Sequence, residues 1–313
     1  MKQTIEPVLQ ELLRDVDPAN IHPNALMKQY TTMKVGGPAF LLVTPGSLGE
    51  LFAALEAVEK HQTPYLVMGN GSNLIFDDEG FEGVVIRIGG GLDRVHIEGP
   101  MVFAEAGALI WNVARAVSLA GLAGLEFACG IPGSAGGAVY MNAGAYGEEM
   151  KEIVCSVSSV GLGGMMKDRP GKELAFTYRS SIFQENRETI LGVKLLLRQG
   201  DPAAIQEKIR DFTERRTTRQ PLQYPSSGSF FRRPPGHFAG KLIQEAGLMG
   251  LSCGGAQVSD LHAGFIINRG DASTADILDL MRIVQETVLS RTGVLLEPEV
   301  RILGKDGQIK QFL

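Results

Sequence analysis

Two glycine-rich stretches carry residues that could hold an anion. GNGSNL at residues 69–74 follows the apolar run YLVM, and GIPGSAGG at residues 130–137 precedes the apolar run AVYM. Glycine lets the backbone approach a ligand closely, and backbone N–H groups with small hydroxyl and amide side chains are donors that phosphate accepts. The second stretch is expected to open a helix, whose free N-terminal N–H groups and dipole favour negative charge. Two such loops together are suited to a diphosphate.

Neither stretch matches the common nucleotide motifs. A P-loop requires GxxxxGK[ST], and the dinucleotide turn requires GxGxxG opening a helix, whereas Leu74 stands at the third glycine position and a strand is expected to follow. A plain hairpin turn remains open for the first stretch. In the second, close helix packing would account for some glycines, with Gly136 or Gly137 the best candidates. TTMKVGGPA adds a third small-residue loop that contains Lys34.

Composition predicts a globular, enzyme-sized protein of more than one domain. The chain has 313 residues, of which 44% are hydrophobic and 21% charged, and its net charge of -5 gives no footprint for nucleic acid. Three widely spaced cysteines and five histidines show no spacing typical of disulfides or metal ligands. The charged N-terminus is unlike a signal peptide, and six glycines and Pro132 argue against a membrane span over residues 127–147. A cytoplasmic protein is expected, with neither a membrane nor a nucleic acid as partner.

Hydrophobic periodicity predicts an α+β protein with a boundary near residue 200. The expected strands are AFLLVTP, TPYLVMG, GVVIRI, RVHIEG, MVFAEAG, IVCSVSSVGLGG, ETILGVKLLLRQG, GGAQVS, GFIIN and PEVRILG. The expected helices are residues 1–13, a helix from Ser47, LIWNVARAVSLAG ending at Gly121, a helix from Asp201, GHFAGKLIQEAGL, and a long helix between Ser273 and Gly293. HPNALMKQYTT is expected to be irregular.

Seven motifs, in this order, resemble the UDP-N-acetylenolpyruvoylglucosamine reductase (MurB) family. They are YTTMKVGGPA, VMGNGSNLIFDD, GIPGSAGGAVYMNAGAYG, FTYRSSIF, PSSGSFFRRPPGHFAGKLI, GGAQVSDLHAGFIIN and LEPEVRILG. The resemblance implies an N-terminal helical segment (residues 1–22) and a two-subdomain FAD-binding region of the vanillyl-alcohol-oxidase (PCMH) type (residues 23–200), split near residue 98. A smaller α+β substrate-binding domain (residues 201–313) would follow.

The resemblance also implies which residues bind FAD. The expected contacts are Lys34, Gly36, Gly69, Asn70, Gly71, Ser72, Asn73, Leu74, Gly130, Gly133, Ser134, Gly137, Asn142, Gly144 and Ala145. The family reaction passes hydride from NADPH through FAD to the enolpyruvyl ether of UDP-GlcNAc, which gives UDP-N-acetylmuramate for peptidoglycan. The resemblance thus implies a flavoprotein oxidoreductase that uses NADP and acts in cell wall biogenesis, cell shape and cell division.

Three residues take the catalytic roles implied by the resemblance. Arg179 would hold the substrate carboxylate and the enolate that develops from it, and Glu299 would stabilise the enol form. Ser229 would act as general acid at the other carbon. Glu297 competes with Glu299, as two neighbouring serines, Ser226 and Ser227, compete with Ser229, and only the motif alignment decides between them.

Further residues are candidates for binding substrate. Arg233, Arg219 and Lys241 could neutralise the UDP diphosphate, with Arg233 the first choice. Longer family members carry an inserted loop whose Tyr closes over the nucleotide, and this chain resembles the short type without it. The PPGHF segment, which contains His237, is the candidate substitute.

Two other functions compete with the reductase. One is an FAD-dependent sugar or alcohol oxidase of the same fold, although GNGSN offers no His or Cys for the covalent flavin attachment common there. The other is a nucleotide-sugar binding module without catalysis, which the presence of Arg179, Ser229 and Glu299 disfavours. A monomer or weak oligomer is expected.

Overall fold

The structure, a computed structural model, describes residues 2–310, whose contacts form two compact units. Among the described residues, the first unit contains residues 2–22, 41–70 and 84–216, and the second contains residues 23–40, 71–83 and 217–310. The division of the sequence at residues 22, 98 and 200 stays a prediction.

The α-helices of the described residues mostly follow the expected pattern. They are α1 (Lys2–Asp15), α2 (Leu48–Lys60), α3 (Ile110–Leu119), α4 (Ala135–Tyr140), α5 (Phe183–Asn186), α6 (Pro202–Arg219), α7 (Ala239–Glu245) and α8 (Thr274–Thr292). Helix starts agree with the predicted caps, because Ser47 accepts from the Glu50 N–H before α2 and Asp201 from the Ala203 N–H at α6. None of the helices in residues 2–310 combines the length and apolar character that a membrane span requires.

The strands are short and fall into several small sheets. They are β1 (Ile21–Leu26), β2 (Pro38–Val43), β3 (Tyr65–Met68), β4 (Leu74–Phe76), β5 (Phe81–Arg87), β6 (Val95–Glu98), β7 (Met101–Glu105), β8 (Leu122–Ala123), β9 (Gly144–Ala145), β10 (Glu148–Glu149), β11 (Val154–Val160), β12 (Met166–Pro170), β13 (Thr189–Leu196), β14 (Arg198–Gln199), β15 (Ser226–Ser229), β16 (Ser252–Cys253), β17 (Ala256–Val258), β18 (Phe265–Asn268) and β19 (Arg301–Leu303). The larger sheets have the orders β1-β2-β5-β3, β12-β11-β13-β7-β6 and β15-β18-β17-β16.

The prediction of irregular structure at HPNALMKQYTT is wrong, because β1 covers its first part. Residues 21–26 contain a proline and Asn24, whose φ is 53°, and only two of the six residues are buried. Their strand depends on pairing within the sheet and not on local propensity. β12 and β15 were also missed, since MKDRP and SSGS lack the β-branched and aromatic residues typical of strands.

In the first unit, the antiparallel sheet β12-β11-β13-β7-β6 positions the second glycine loop. β13 is buried at most of its positions, and α4 packs against it and against β7. Gly192 on β13 allows close packing against Phe103 on β7, since a Cβ at position 192 would lie 2.8 Å from the Phe103 ring. The loop that precedes α4 is therefore held on a buried sheet.

In the second unit, α8 packs against β16 and β17. Ser273 and Asp276 form a capping box at its start, and Gly293, in the left-handed conformation, ends it as predicted. The carboxylate of Asp78 also accepts from the N–H groups of Thr274 and Ala275. The second acidic residue of the FDD sequence is thus part of the helix cap.

Candidate active site

The two glycine-rich loops contact each other through residues of the first unit. A Cβ on Gly69 would lie only 2.1 Å from Oγ of Ser134, and Nδ2 of Asn70 donates to the Pro132 carbonyl at 2.6 Å. A side chain at position 69 would displace the Ser134 hydroxyl, and the Asn70 amide joins one loop to the other. The structure therefore brings these two motifs together.

The expectation of free N–H groups at the start of α4 is wrong for Ala135, Gly136 and Gly137, the first three residues of the helix. The Ala135 N–H donates to Ala108 at 2.7 Å, and the Gly136 N–H donates to Ala106 at 2.9 Å. The Gly137 N–H is capped by Ser134 Oγ at 3.2 Å. Gly136 is a packing glycine, as the alternative predicted, because a Cβ there would lie 2.9 Å from the Ala106 Cβ.

Arg216 on α6 was missed as a partner of the second loop. Its Nη1 donates to the Gly130 carbonyl at 2.6 Å, and its Cδ would lie 2.8 Å from a Cβ at Gly130. Its Nε is buried and has no hydrogen-bond partner among the described residues. An unpaired guanidinium N–H beside this loop fits an anionic group such as a diphosphate. The basic cluster RRTTR was the only signal in the sequence.

In the second unit, the third small-residue loop contacts residues of the first motif and the strand of the candidate serines. The Thr32 N–H donates to the Gly71 carbonyl at 3.3 Å, and Thr32 Oγ1 donates to the Ser226 carbonyl at 2.7 Å. Gly36, at φ 112°, lies against Phe76, where a Cβ would be 2.8 Å from the Phe76 Cβ. Lys34 also has a positive φ of 57°. Both residues shape the turn of this loop.

Asn73 and Leu74, predicted as FAD contacts, are paired with the segment that runs from Glu299 into β19. Asn73 Nδ2 donates to the Glu299 carbonyl at 3.2 Å, and the Arg301 N–H donates to the Asn73 carbonyl at 3.1 Å. Leu74 is paired with Arg301 in the parallel ladder of β4 and β19. The loop thus holds the backbone on both sides of Val300.

Ser229 and Glu299 lie on neighbouring backbone segments of the second unit. The Glu299 N–H donates to the carbonyl of Phe230, the residue after Ser229, at 2.8 Å. Phe231 and Pro298 form an antiparallel bridge. Ser229 and Glu299 are 70 residues apart in the sequence. Direct main-chain pairing of their segments therefore brings them near each other.

Exposure distinguishes these residues from their competitors. Ser229 is exposed at the end of β15, whereas Ser227 is buried and its hydroxyl has no partner among the described residues. Glu299 is half-buried, whereas Glu297 is 68% exposed and 3.8 Å from Arg232. A general acid must reach a ligand, which favours Ser229 over Ser227.

Arg179 stands at the tip of a tight turn in the first unit. Thr177 and Ser180 exchange backbone hydrogen bonds of 3.1 and 3.3 Å, and Arg179 between them has a φ of 55°. A positive φ at this turn position normally selects glycine or asparagine, so an arginine there stores backbone strain. Nη2 of Arg179 donates to the Gly144 carbonyl at 3.4 Å, and the guanidinium lies 4.9 Å from the Tyr178 ring centroid.

Glu149 is an acidic group that feels the charge of Arg179. Burial raises its pKa, but hydrogen bonds from Lys151 and Asn142 and the charge of Arg179 outweigh burial, so the pKa lies below its usual value. Glu149 is therefore an anion at neutral pH. Gly144 and Ala145 form β9, which pairs with β10, and a Cβ on Gly144 would lie 2.5 Å from the Glu148 carbonyl oxygen.

The three substrate-binding candidates differ in their surroundings. The Arg233 guanidinium lies 4.0 Å from the Phe238 ring centroid, and its Nε donates to the His237 carbonyl at 3.4 Å. Lys241 is exposed on α7 and 3.7 Å from Glu245, and Arg219 is the exposed last residue of α6. In residues 2–310, no group of three His, Cys, Asp or Glu side chains could hold a metal ion.

Comparisons with known proteins define the class first. An FAD-binding domain family model matches residues 39–168. The model of the UDP-N-acetylenolpyruvoylglucosamine reductase C-terminal domain matches residues 220–303. The chain is thus an FAD-dependent oxidoreductase with the predicted α+β architecture, an FAD-binding region followed by a smaller C-terminal domain.

Whole-chain relatives define the family. UDP-N-acetylenolpyruvoylglucosamine reductase of Alkaliphilus oremlandii is 47% identical over 90% of this chain and 92% of that protein. The reductase of Latilactobacillus sakei is 46% identical over 92% of this chain and 95% of that protein. The crystal structure of UDP-N-acetylenolpyruvylglucosamine reductase (MurB) from Thermus caldophilus matches with a TM-score of 0.77 and 36% identity, covering 89% of this chain and 97% of that one. The chain belongs to the UDP-N-acetylenolpyruvoylglucosamine reductase family.

Proposed function

We propose that the protein reduces the enolpyruvyl ether of UDP-GlcNAc to UDP-N-acetylmuramate, with FAD bound and NADPH as hydride donor. The relatives are named for reduction of UDP-N-acetylenolpyruvoylglucosamine. The structural observation that carries the proposal is the pairing of the Ser229 and Glu299 segments through the Glu299 N–H and the Phe230 carbonyl. The same names favour the reductase over the sugar or alcohol oxidase.

The residues around the second glycine loop fit the cofactor. We propose that Gly69, Asn70 and the loop at residues 130–137 hold FAD, with the unpaired Nε of Arg216 facing an anionic group. Bound FAD would supply the hydride transfer. The contacts predicted at Lys34, Gly36 and residues 71–74 support this proposal less directly, because the structure gives several of them partners within the protein.

The catalytic residues would act on the substrate. The planar guanidinium of Arg179 can hold the substrate carboxylate through two parallel hydrogen bonds. These bonds strengthen as negative charge develops on that carboxylate during the reaction. Glu299 would stabilise the enol form of that group. When the methylene carbon has received hydride, the Ser229 hydroxyl would deliver its proton to the adjacent carbon.

The substrate diphosphate would be bound by the second unit. Arg233 is the best placed candidate, because the ring of Phe238 and the carbonyl of His237 orient its guanidinium. Arg219 and Lys241 would add charge. NADPH would use the same pocket as the substrate, and competitive inhibition between the two would support this, whereas independent binding would rule it out.

The first experiment is an anaerobic absorption titration of the purified yellow protein. NADPH should bleach the flavin band, and the enolpyruvyl ether of UDP-GlcNAc should restore it. A band that stays bleached until air is admitted would favour the oxidase, and a protein without colour would overturn the FAD assignment.

The cellular setting is also part of the proposal. We propose a cytoplasmic monomer or weak oligomer that supplies peptidoglycan precursor and so supports cell shape and division. Sedimentation of the holoenzyme across a concentration series would test the oligomeric state.

A further inference from the structure

Asn142 ends α4 in a conformation that glycine would normally supply. Its φ is 41°, its N–H donates to the Val139 carbonyl at 3.0 Å, and the Ala143 N–H donates to the Ala138 carbonyl at 2.8 Å. These two bonds form a Schellman motif with Asn142 at the left-handed position, where glycine is the usual residue. The chain has 39 glycines, yet this position holds an asparagine. The contacts of the asparagine side chain should therefore explain why glycine is not used.

The donors and the acceptor of the Asn142 side chain are bonded to other groups of the protein. Asn142 is fully buried. Its Nδ2 donates to the Thr177 carbonyl and to Glu149 Oε2, each at 2.9 Å, and its Oδ1 accepts from the Lys151 N–H at 3.0 Å. Both amide hydrogens are used, which leaves none for a flavin.

One of these partners begins the turn that carries Arg179. The Thr177 carbonyl accepts from the Asn142 amide and from the Ser180 N–H that closes the turn. Two residues after Asn142, the Gly144 carbonyl accepts from the Arg179 guanidinium. The segment 142–144 therefore contacts both the base and the tip of the Arg179 turn.

The geometry points to Asn142 as a positioning residue for Arg179, which rests on the proposed catalytic role of Arg179. A buried amide with two donors and one acceptor fixes the Thr177 carbonyl, and so the turn that holds Arg179 at a positive φ. This role replaces the direct flavin contact predicted for Asn142.

Asn142→Gly is the informative variant, because glycine keeps the left-handed helix end and removes only the amide. Hydrogen exchange followed by mass spectrometry should show faster exchange at residues 176–181 than in the wild-type holoenzyme, with flavin content unchanged. Ser159→Ala is the matched control, since it removes a buried hydrogen bond to Glu188 away from the turn. Unchanged exchange at residues 176–181, or loss of flavin from Asn142→Gly, would overturn the inference whether or not the protein is a reductase.

Kinetics provide a second measurement. Asn142→Asp keeps the side-chain volume and the acceptor for Lys151 but turns the two donors into acceptors that face Thr177 and Glu149. Reoxidation by the enolpyruvyl substrate should slow by about 10- to 100-fold, the effect of a small misplacement of a binding group. In an Arg179→Ala background the same substitution should have little further effect. Equal losses in both backgrounds, or a flavin-bound variant of wild-type rate, would contradict the positioning role.

Discussion

The Arg179 turn and the Ser229–Glu299 pair hold their functional residues in different ways. Arg179 lies in a two-residue turn that main-chain bonds close and side chains attach to the rest of the unit, with the Gln184 amide donating to the Arg179 carbonyl at 3.0 Å and the Asn142 amide to the Thr177 carbonyl. Ser229 and Glu299 lie on segments joined by two main-chain hydrogen bonds, from the Glu299 N–H to the Phe230 carbonyl and from the Arg232 N–H to the Glu297 carbonyl. Main-chain pairing tolerates most side-chain changes, whereas a side-chain anchor can be lost by one substitution. The Arg179 turn should therefore be the more fragile of the two.

The largest expected effect is that of Ser229→Ala. Removing the proposed proton donor should lower the rate of substrate reduction by about 10²- to 10⁴-fold, while NADPH still bleaches the flavin, because only the proton delivery is lost. Stopped-flow absorption separates the two half-reactions. Ser226→Ala is the control, because Ser226 accepts from Thr32 through its backbone carbonyl, which the substitution keeps. Equal losses in both variants would place the proton donor elsewhere.

Arg179→Ala should lower the same rate by about 10²- to 10³-fold, the range for loss of a charge-stabilising donor. Arg179→Lys should recover only part of it, because lysine keeps the charge without the paired donors. Single-turnover reoxidation measures both variants. Full activity of the lysine variant would show that charge alone is needed and that the geometry of the turn is not.

Glu299→Gln should lower the rate by about 10- to 10²-fold, as expected for one electrostatic contact to the developing enol. The backbone hydrogen bonds of Glu299 to Phe230 and Asn73 remain, so the fold should be unchanged. Glu297→Gln, on an exposed side chain of the same segment, serves as the comparison. A greater loss in Glu297→Gln would reverse the assignment.

The contribution of side-chain hydrogen bonds to the stability of the first unit can be tested at Glu188. Hydrogen bonds from Arg169, with further ones from Lys167 and Ser159, outweigh burial and lower the Glu188 pKa from 4.5 to about 2. Since the folded pKa is lowered, the stabilisation of up to about 3 kcal/mol is present above pH 4.5 and is lost as the pH falls toward 2.

Glu188→Gln should therefore lower the free energy of unfolding at pH 7, and the difference from wild type should shrink between pH 4.5 and 2. Urea unfolding of both proteins at several pH values measures this. A difference that does not depend on pH would show that packing, and not charge, is lost.

The smallest expected effect is that of Gly69→Ala. The new Cβ would force Ser134 Oγ away from the Gly137 N–H, which costs about 1 kcal/mol of helix capping and should weaken FAD binding several-fold. Gly90→Ala is the control, because no heavy atom lies within 4 Å of its Cβ position. Flavin release measured by fluorescence should separate the two, and equal release would show that the loop adapts.

Local features of the site could be predicted because they depend on neighbouring residues. The caps at Ser47, Ser273 and Gly293 and the order of strands and helices follow from side chains within a few positions. The family motifs identified the class of protein. The glycine stretch before α4 led to the expectation of free N–H groups there, which failed at Ala135 and Gly136 because Ala108 and Ala106, about 30 residues upstream, supply the acceptors.

The sequence alone determined the glycine loops, the helix caps and the family, since each depends on short contiguous patterns of residues. The tertiary structure decided that Gly69 meets Ser134, that Arg216 reaches Gly130, and that Asn142 is buried beneath Thr177. These partners are 35 to 86 residues apart in the chain. No local pattern specifies them, because hydrogen-bond partners at such separations are selected only when the sheets and helices have packed.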